Sequence, residues 1–147
     1  PDQSHNLPQS LHNPHLCTTT IISKLPAVLQ AVDVKKSYDT VDVLRGVTVE
    51  IGDAEVVSIV GASGAGKSTL LHILGTLDLP DSGDVLFDGK SVRKMKSAEL
   101  ARFRNKNLGF IFQFHNLLPE FTALENVMLP GLLAGKPEKQ VKDRAID

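Results

Sequence analysis

The chain has 147 residues, 41% of them hydrophobic, which is enough for one domain with its own core but not for two full domains. Its net charge is −1 and it has no run of basic residues, so it lacks the sequence features that are typical of nucleic-acid-binding proteins. One cysteine, Cys17, excludes an internal disulfide framework, and the uncharged stretch 3–23 is too polar to span a membrane or to form a signal-peptide core. We therefore expect no nucleic-acid partner and no direct membrane insertion.

Residues 1–24 are polar, contain several prolines and show no sustained periodicity, which predicts a disordered leader. The folded part is expected to cover residues 25–147. The chain begins with Pro1, and residues 141–147 continue a helical pattern without a glycine or proline cap. We expect a fragment of a longer protein at both ends.

The first predicted elements of the folded part are strands. Residues 47–51 alternate apolar and polar side chains between turn glycines, as in a strand with one buried face. Residues 56–60 are apolar on both faces, which is typical of a central parallel strand covered by helices.

Residues 61–69 read Gly-Ala-Ser-Gly-Ala-Gly-Lys-Ser-Thr and satisfy the phosphate-loop pattern G-x-x-x-x-G-K-[ST]. Its glycines let successive backbone N–H groups converge on a polyphosphate, Lys67 would reach the β- and γ-phosphates, and Ser68 would give its hydroxyl to Mg²⁺. The helix that follows directs its positive end at the anion. The predicted phosphate-binding residues are Gly61, Ala62, Ser63, Gly64, Ala65, Gly66, Lys67, Ser68 and Thr69. The alternative is a glycine-rich surface loop that meets the pattern by chance.

The remaining elements alternate between strands and helices. Residues 85–87 followed by Asp88-Gly89 predict a tight hairpin, and Ser97 is placed to cap a helix over residues 97–105. Residues 108–112 form another apolar segment that predicts a strand.

Two further helices are predicted near the end of the chain. Thr122 and Glu125 have the spacing of a capping box, which predicts a helix that extends to about Leu133. Gly135 is expected to end that helix, and Pro137 to begin the next one.

Several segments, together with the phosphate loop, resemble the nucleotide-binding subunit of ABC transporters. Residues 35–38, Lys-Lys-Ser-Tyr, look like the family's aromatic loop, and residues 110–113, Phe-Ile-Phe-Gln, look like its Q-loop. Residues 44–49 and 79–85 are similar to the segments that flank the phosphate loop in the family. The amino-acid sequence of residues 108–127 closely resembles that of the lipoprotein-releasing (LolD-type) branch, and it also resembles macrolide-export and cell-division relatives.

The resemblance implies an α/β fold, namely a P-loop NTPase core of ABC type with an antiparallel β-subdomain and the beginning of the helical subdomain. It implies that Tyr38 stacks on adenine and that Gln113 contacts Mg²⁺ or positions the attacking water. From the residues alone, Tyr38 would be a half-buried strand aromatic and Gln113 a surface amide. The position of Gln113 just after an apolar strand favours a site, because ligands gather there in open α/β sheets.

The resemblance also implies ATP and Mg²⁺ as cofactors, a homodimer of nucleotide-binding subunits, and integral-membrane permease subunits as partners. The implied location is peripheral, on the cytoplasmic face of the inner (plasma) membrane. The implied function is ATP hydrolysis coupled to export or release of a substrate, with lipoprotein release from the inner membrane as the branch-level expectation.

The family's Ser-Gly-Gly-Gln signature, its Walker B strand ending in Asp-Glu and its switch histidine do not occur in these 147 residues. We therefore expect the parent protein to hydrolyse ATP, and this fragment alone to bind it without hydrolysis. The alternatives are a soluble ABC ATPase of DNA repair or translation, a non-catalytic nucleotide-binding interaction module and, less favoured, a small-molecule P-loop kinase.

Overall fold

The computed structural model describes residues 16–17, 27–114 and 116–147, which belong to two compact units, Pro1–Met95 and Lys96–Asp147. Within the predicted leader, Leu16–Cys17 forms a short strand, β1, so these two residues differ from the expected disorder. The rest of residues 1–24 lies outside the described residues. No helix in the described ranges is long and apolar enough to cross a membrane.

A four-stranded antiparallel sheet lies in the first unit. Its strands are β2 (Ala27–Tyr38), β3 (Val41–Gly52), β5 (Ser82–Phe87) and β6 (Lys90–Ser91), in the spatial order β3-β2-β5-β6. The predicted strand 47–51 is the second half of β3, since pairing with β2 continues to Val41. Asp88 and Gly89 connect β5 to β6 with φ values of 47° and 73°, which confirms the predicted hairpin turn. The sheet corresponds to the expected antiparallel β-subdomain.

A bulge in β2 determines which of its side chains reach the core. Ala31 and Val34 are both 0% exposed although they are three positions apart, whereas an uninterrupted strand would bury every second residue. The register with β3 shifts between these two residues, and Asp33 between them has a φ of 48°. The irregularity therefore directs both apolar side chains to the same buried face.

The phosphate-loop segment connects the short strand β4 (Val60–Gly61) to helix α1 (Lys67–Leu74). Leu70, Ile73 and Leu74 are buried, with the i, i+3, i+4 spacing of an amphipathic helix. Helix α1 contacts β3, and a 3₁₀ helix, Val92–Lys94, completes the first unit. The helix predicted after the loop is confirmed, and its apolar face lies in the same core as the sheet.

Two apolar segments do not form the strands that their composition predicts. In the segment 56–60 only Val60 is in a strand, and β4 pairs antiparallel with β1, while Val56 is 88% exposed. Residues 108–112 pair with no strand in the described part of the chain, and Ile111 is fully exposed. An extended segment becomes a strand only when its backbone groups pair with a neighbour. The predictions of a central parallel strand at 56–60 and of a strand at 108–112 are therefore wrong for this structure.

The second unit contains helices α2 (Ser97–Asn107), α3 (Ala123–Leu133) and α4 (Glu138–Ile146). The N-cap of α2 is Lys96, and no side chain makes a capping hydrogen bond there, so the prediction that Ser97 caps this helix is wrong by one position. The three-helix unit corresponds to the expected beginning of a helical subdomain.

Local contacts explain where α3 begins and how it packs against α4. Thr122 donates its backbone N–H to Glu125 Oε2 at 2.8 Å, and the Glu125 N–H donates to Thr122 Oγ1 at 3.3 Å. The predicted capping box is thus confirmed. Met128 of α3 and Val141 of α4 are the buried side chains of these two helices.

Candidate nucleotide-binding site

The phosphate loop lies close to β3 at Gly66, which is the N-cap of α1. This residue has a φ of 85°, and a Cβ built on it would lie 2.9 Å from both Leu44 Cδ2 and Val43 Cγ1. Gly64 also has a positive φ, 78°, but a Cβ there would have nothing within 4 Å. Gly66 therefore permits packing against the sheet, whereas Gly64 leaves an open approach to the loop backbone.

The first turn of α1 contains no group that would compete with an anion. Gly66 offers no side-chain cap, and the turn contains no acidic residue. The first N–H groups of any α-helix have no acceptor within the helix, and they carry the positive end of its dipole. This helix start is therefore suited to a phosphate group.

Lys67 folds back over the loop that precedes it. Its Nζ donates hydrogen bonds to the backbone oxygens of Gly61 at 2.9 Å and of Ala62 at 2.6 Å. An ammonium group has three donors, so these two contacts do not use all of them. The contacts hold the positive charge against the loop, while the neighbouring Ser68 is exposed.

A cleft of about 240 Å³ lies between the loop and β3. It is lined by Val41, Asp42, Val43, Arg45, Ala62, Ser63, Gly64 and Ala65. Pockets that enclose a drug-sized ligand measure about 300–1,000 Å³. The cleft alone is therefore smaller than a site for a whole nucleotide.

Tyr38, at the end of β2, lies beside the phosphate-loop helix. Its hydroxyl donates to Asp78 Oδ2 at 2.8 Å, and the Thr69 side chain also lies near that hydroxyl. Tyr38 remains 47% exposed. The structure thus brings the predicted adenine-stacking residue next to the last residue of the predicted phosphate loop.

Asp78 and Lys36 form an ion pair next to Tyr38 that sequence reasoning did not identify. Lys36 Nζ lies 2.9 Å from Asp78 Oδ1 and 3.6 Å from Asp81 Oδ1, and the side chains of Lys36 and Asp78 are only 12% and 31% exposed. The two partners are 42 positions apart, and no motif links them. The available signals are that Lys36 lies within residues 35–38 and that Asp78 directly precedes residues 79–85, since both segments carry part of the family resemblance.

These contacts shift the pKa values of all three groups. The hydrogen bond to Asp78 is the largest cause that raises the pKa of Lys36 above its ordinary value of 10.5, and that of Tyr38 above 10.0. Burial alone would raise the pKa of Asp78, but the hydrogen bonds from Lys36 and Tyr38 outweigh it, so this pKa lies below its ordinary value of 3.8.

We expect the ion pair to stabilise the fold at neutral pH and to lose that effect in acid. Because the Asp78 pKa is depressed, its contribution is full above 3.8 and is lost as the pH falls through the lower folded-state pKa. Because the Lys36 pKa is raised, its contribution to the stability of the fold is full below pH 10.5 and is lost as the pH rises through the higher folded-state pKa. The difference in unfolding free energy between the wild type and Asp78→Ala should be constant from about pH 5 to 9 and should shrink in stronger acid.

Urea denaturation followed by circular dichroism at neutral pH and at a series of acid pH values would measure that difference. Asp53→Ala, at an exposed turn position, is the matched control and should leave the unfolding free energy close to that of the wild type. An Asp78→Ala difference that stays constant throughout the acid series would contradict the prediction.

Gln113 lies in the second unit, where its side chain is exposed. Just before it, the rings of Phe110 and Phe112 stack with their centroids 5.7 Å apart. Beyond it, Asn126 holds the loop by donating to the Leu118 oxygen at 3.1 Å and accepting from the Leu118 N–H at 2.9 Å. Sequence reasoning did not single out Asn126, although it directly follows the capping box. The role of Gln113 in binding Mg²⁺ or water stays a prediction.

A family model and curated proteins match most of this chain. Residues 44–147 match the family model of the ABC transporter. The chain is 58% identical over 114 residues to the lipoprotein-releasing system ATP-binding protein LolD of Bacteroides thetaiotaomicron, covering 78% of this chain and 52% of that protein. It is 56% identical over 120 residues to LolD of Cytophaga hutchinsonii, covering 82% and 55%. The chain thus spans about half the length of these curated relatives.

Solved structures show the same likeness. The dimeric structure of MJ0796, a bacterial ABC transporter cassette, matches with a TM-score of 0.74 and 37% identity over 80% of this chain and 54% of that one. A dimeric post-hydrolysis state of MJ0796 bound to ADP and Pi matches with a TM-score of 0.73, at the same identity and coverage. These matches confirm the predicted α/β fold class.

Proposed function

We propose that the protein is the ATP-binding and ATP-hydrolysing subunit of a membrane transporter, because the chain belongs to the ABC transporter family. Nucleotide binding is a property of that family. The main observation behind the proposal is the geometry of the phosphate loop. The Lys67 ammonium lies 2.9 Å and 2.6 Å from two carbonyl oxygens of the loop, and the helix that follows begins without a side-chain cap. A fixed cation next to unpaired helix N–H groups suits a polyphosphate such as that of ATP.

The residues present fit both ATP and Mg²⁺. The open space at Gly64 allows a phosphate to approach the backbone, and Lys67 would neutralise the β- and γ-phosphates. Tyr38 offers its ring to the adenine, and the exposed Ser68 would hold the metal through its hydroxyl. Mg²⁺, when bound, would neutralise negative charge on the phosphate oxygens.

Hydrolysis is proposed for the whole protein, and ATP binding for this stretch of it. Transfer of a phosphoryl group to water needs positioning and charge neutralisation more than covalent chemistry. The backbone of residues 61–69 and Lys67 would supply these, and Gln113 would orient the water. We also propose a homodimer of nucleotide-binding subunits, because MJ0796, at 37% identity, is dimeric in a state bound to ADP and Pi.

The transport process we propose is the release of lipoproteins from the inner membrane. It is supported by the 58% and 56% identities with proteins named as lipoprotein-releasing system ATP-binding proteins. The proposed partners are integral-membrane permease subunits, and the proposed location is the cytoplasmic face of the inner membrane. Cell-division and macrolide-export systems are the competing assignments.

The test is reconstitution of the intact protein with the integral-membrane subunits that co-purify with it. In proteoliposomes, we expect ATP to release an acylated lipoprotein to an acceptor in solution. The same lipoprotein without its acyl chains, and a non-hydrolysable ATP analogue, are the controls. If the rate of ATP hydrolysis does not change when the acylated lipoprotein is added, the other transport classes would be favoured. An ATPase that co-purifies with no membrane subunit would contradict the proposal.

A further inference from the structure

Side-chain contacts, and not burial, fix the position of the Tyr38 ring. Tyr38 is the last residue of β2, directly before a turn in which Asp39 has a φ of 51°. With 47% of the residue exposed, packing alone restrains the ring weakly. The hydrogen bond from its hydroxyl to Asp78 is therefore its principal anchor.

Asp78 is itself rigidly held, which makes it a suitable anchor. Its Oδ1 accepts from Lys36 Nζ at 2.9 Å and from the Leu79 N–H at 2.7 Å, so Oδ2 is directed to the Tyr38 hydroxyl at 2.8 Å. Both oxygens of the carboxylate are thus used. Hydrogen bonds to an ionised group are stronger than those between neutral groups.

Lys36 contributes a second restraint on the same ring. Its Nζ lies 5.3 Å from the centre of the Tyr38 ring, within the range of a cation–π contact. Lys36 also donates to the Leu79 oxygen at 2.8 Å, which fixes the ammonium independently of the ring. The exposed part of Tyr38 remains available to a planar ligand.

We propose that Asp78 is a positioning residue that holds the Tyr38 ring beside the phosphate-loop helix, so that base stacking and phosphate binding occur in one fixed geometry. The inference rests on the proposed function, in which Tyr38 stacks on adenine. The Tyr38 hydroxyl is held by Asp78, and Thr69, the last residue of the loop, lies near the same hydroxyl. Loss of Asp78 should therefore weaken the binding of the nucleotide base and leave the binding of the phosphates unchanged.

The test compares two probes by isothermal titration calorimetry on the full chain: ATP, and inorganic tripolyphosphate, which has no base. Asp78→Ala should weaken ATP binding about tenfold, within the range that loss of base–aromatic stacking produces, and leave tripolyphosphate binding unchanged. Unchanged tripolyphosphate binding also shows that the variant is folded. Asp53→Ala, a surface aspartate in the same unit, should change neither affinity.

Two further variants separate positioning from a general structural effect. Asp78→Asn retains one acceptor and can donate to the Tyr38 oxygen, so ATP affinity should lie between those of the wild type and Asp78→Ala. Tyr38→Phe keeps the ring but removes its link to Asp78. The double variant Tyr38→Phe with Asp78→Ala should be no weaker than the worse single variant, because both remove the same contact.

The outcomes distinguish this inference from the proposed function. If Lys67→Ala weakens ATP binding but Asp78→Ala does not, the positioning role is overturned and the proposed function stands. If Asp78→Ala weakens ATP and tripolyphosphate equally, Asp78 supports the loop as a whole and the inference is again overturned. A wild-type chain that binds neither probe overturns both.

Discussion

Replacing Lys67 with alanine should weaken ATP binding by about 100-fold, which corresponds to about 2.7 kcal/mol. The ammonium would form hydrogen bonds to ionised phosphate oxygens, and such bonds contribute about 1.5–3 kcal/mol. In the structure, Lys67 Nζ already lies against the loop, 2.9 Å from the Gly61 oxygen and 2.6 Å from the Ala62 oxygen. Isothermal titration calorimetry with Mg²⁺–ATP would measure the loss.

The stability of the chain should change little in the same variant. Gly61 and Ala62 are exposed, so water can replace the lost ammonium at their carbonyl oxygens, and surface substitutions usually change stability by less than about 0.5 kcal/mol. Lys90→Ala removes one positive charge from an exposed hairpin position and should leave ATP affinity unchanged. If Lys67→Ala bound ATP as tightly as Lys90→Ala does, the phosphate-loop assignment would fail.

Local sequence patterns predicted those features whose causes are local. The spacing of the phosphate loop predicted a glycine-rich turn that leads into a helix, and the structure has that turn with α1 at Lys67–Leu74. The Thr122 and Glu125 pair predicted a helix start because the two residues satisfy one another's backbone groups, and both hydrogen bonds are present. In each case all the interacting atoms lie within a few residues of one another.

The apolar segments show where such patterns fail. An apolar run indicates that a segment prefers burial, but pairing into a sheet depends on which other strand lies beside it. Residues 56–60 had the composition of a central strand, yet Val60 pairs antiparallel with Cys17 of β1. The bulge at Asp33 in β2 is a similar case, since no local signal marks the register shift.

Contacts between distant positions could not be predicted from one sequence. The family resemblance suggested a role for Tyr38, but it did not indicate what holds the ring in place. Asp78 pairs with Lys36 across 42 positions and with Tyr38 across 40. Only the folded chain brings the end of β2 to the segment after α1, so this part of the site became visible through geometry alone.

Gly66→Ala should destabilise the first unit by about 3 kcal/mol, much more than the same change at Gly64. Both residues have positive φ, 85° and 78°, and a left-handed backbone costs a non-glycine residue about 1–2 kcal/mol. At Gly66 the added Cβ would also lie 2.9 Å from the side chains of Leu44 and Val43 and 3.1 Å from the Val43 oxygen. Overpacking of this kind typically adds about 1–3 kcal/mol.

At Gly64 the added Cβ would have nothing within 4 Å, so only the backbone cost of about 1–2 kcal/mol should remain. Urea denaturation of the two variants, followed by circular dichroism, would measure the difference directly. Because the two substitutions are chemically identical and the φ values differ by only a few degrees, the backbone contribution cancels in the comparison. Equal losses in both variants would mean that contact between the loop and β3 contributes nothing to the cost, and the packing role assigned to Gly66 would be wrong.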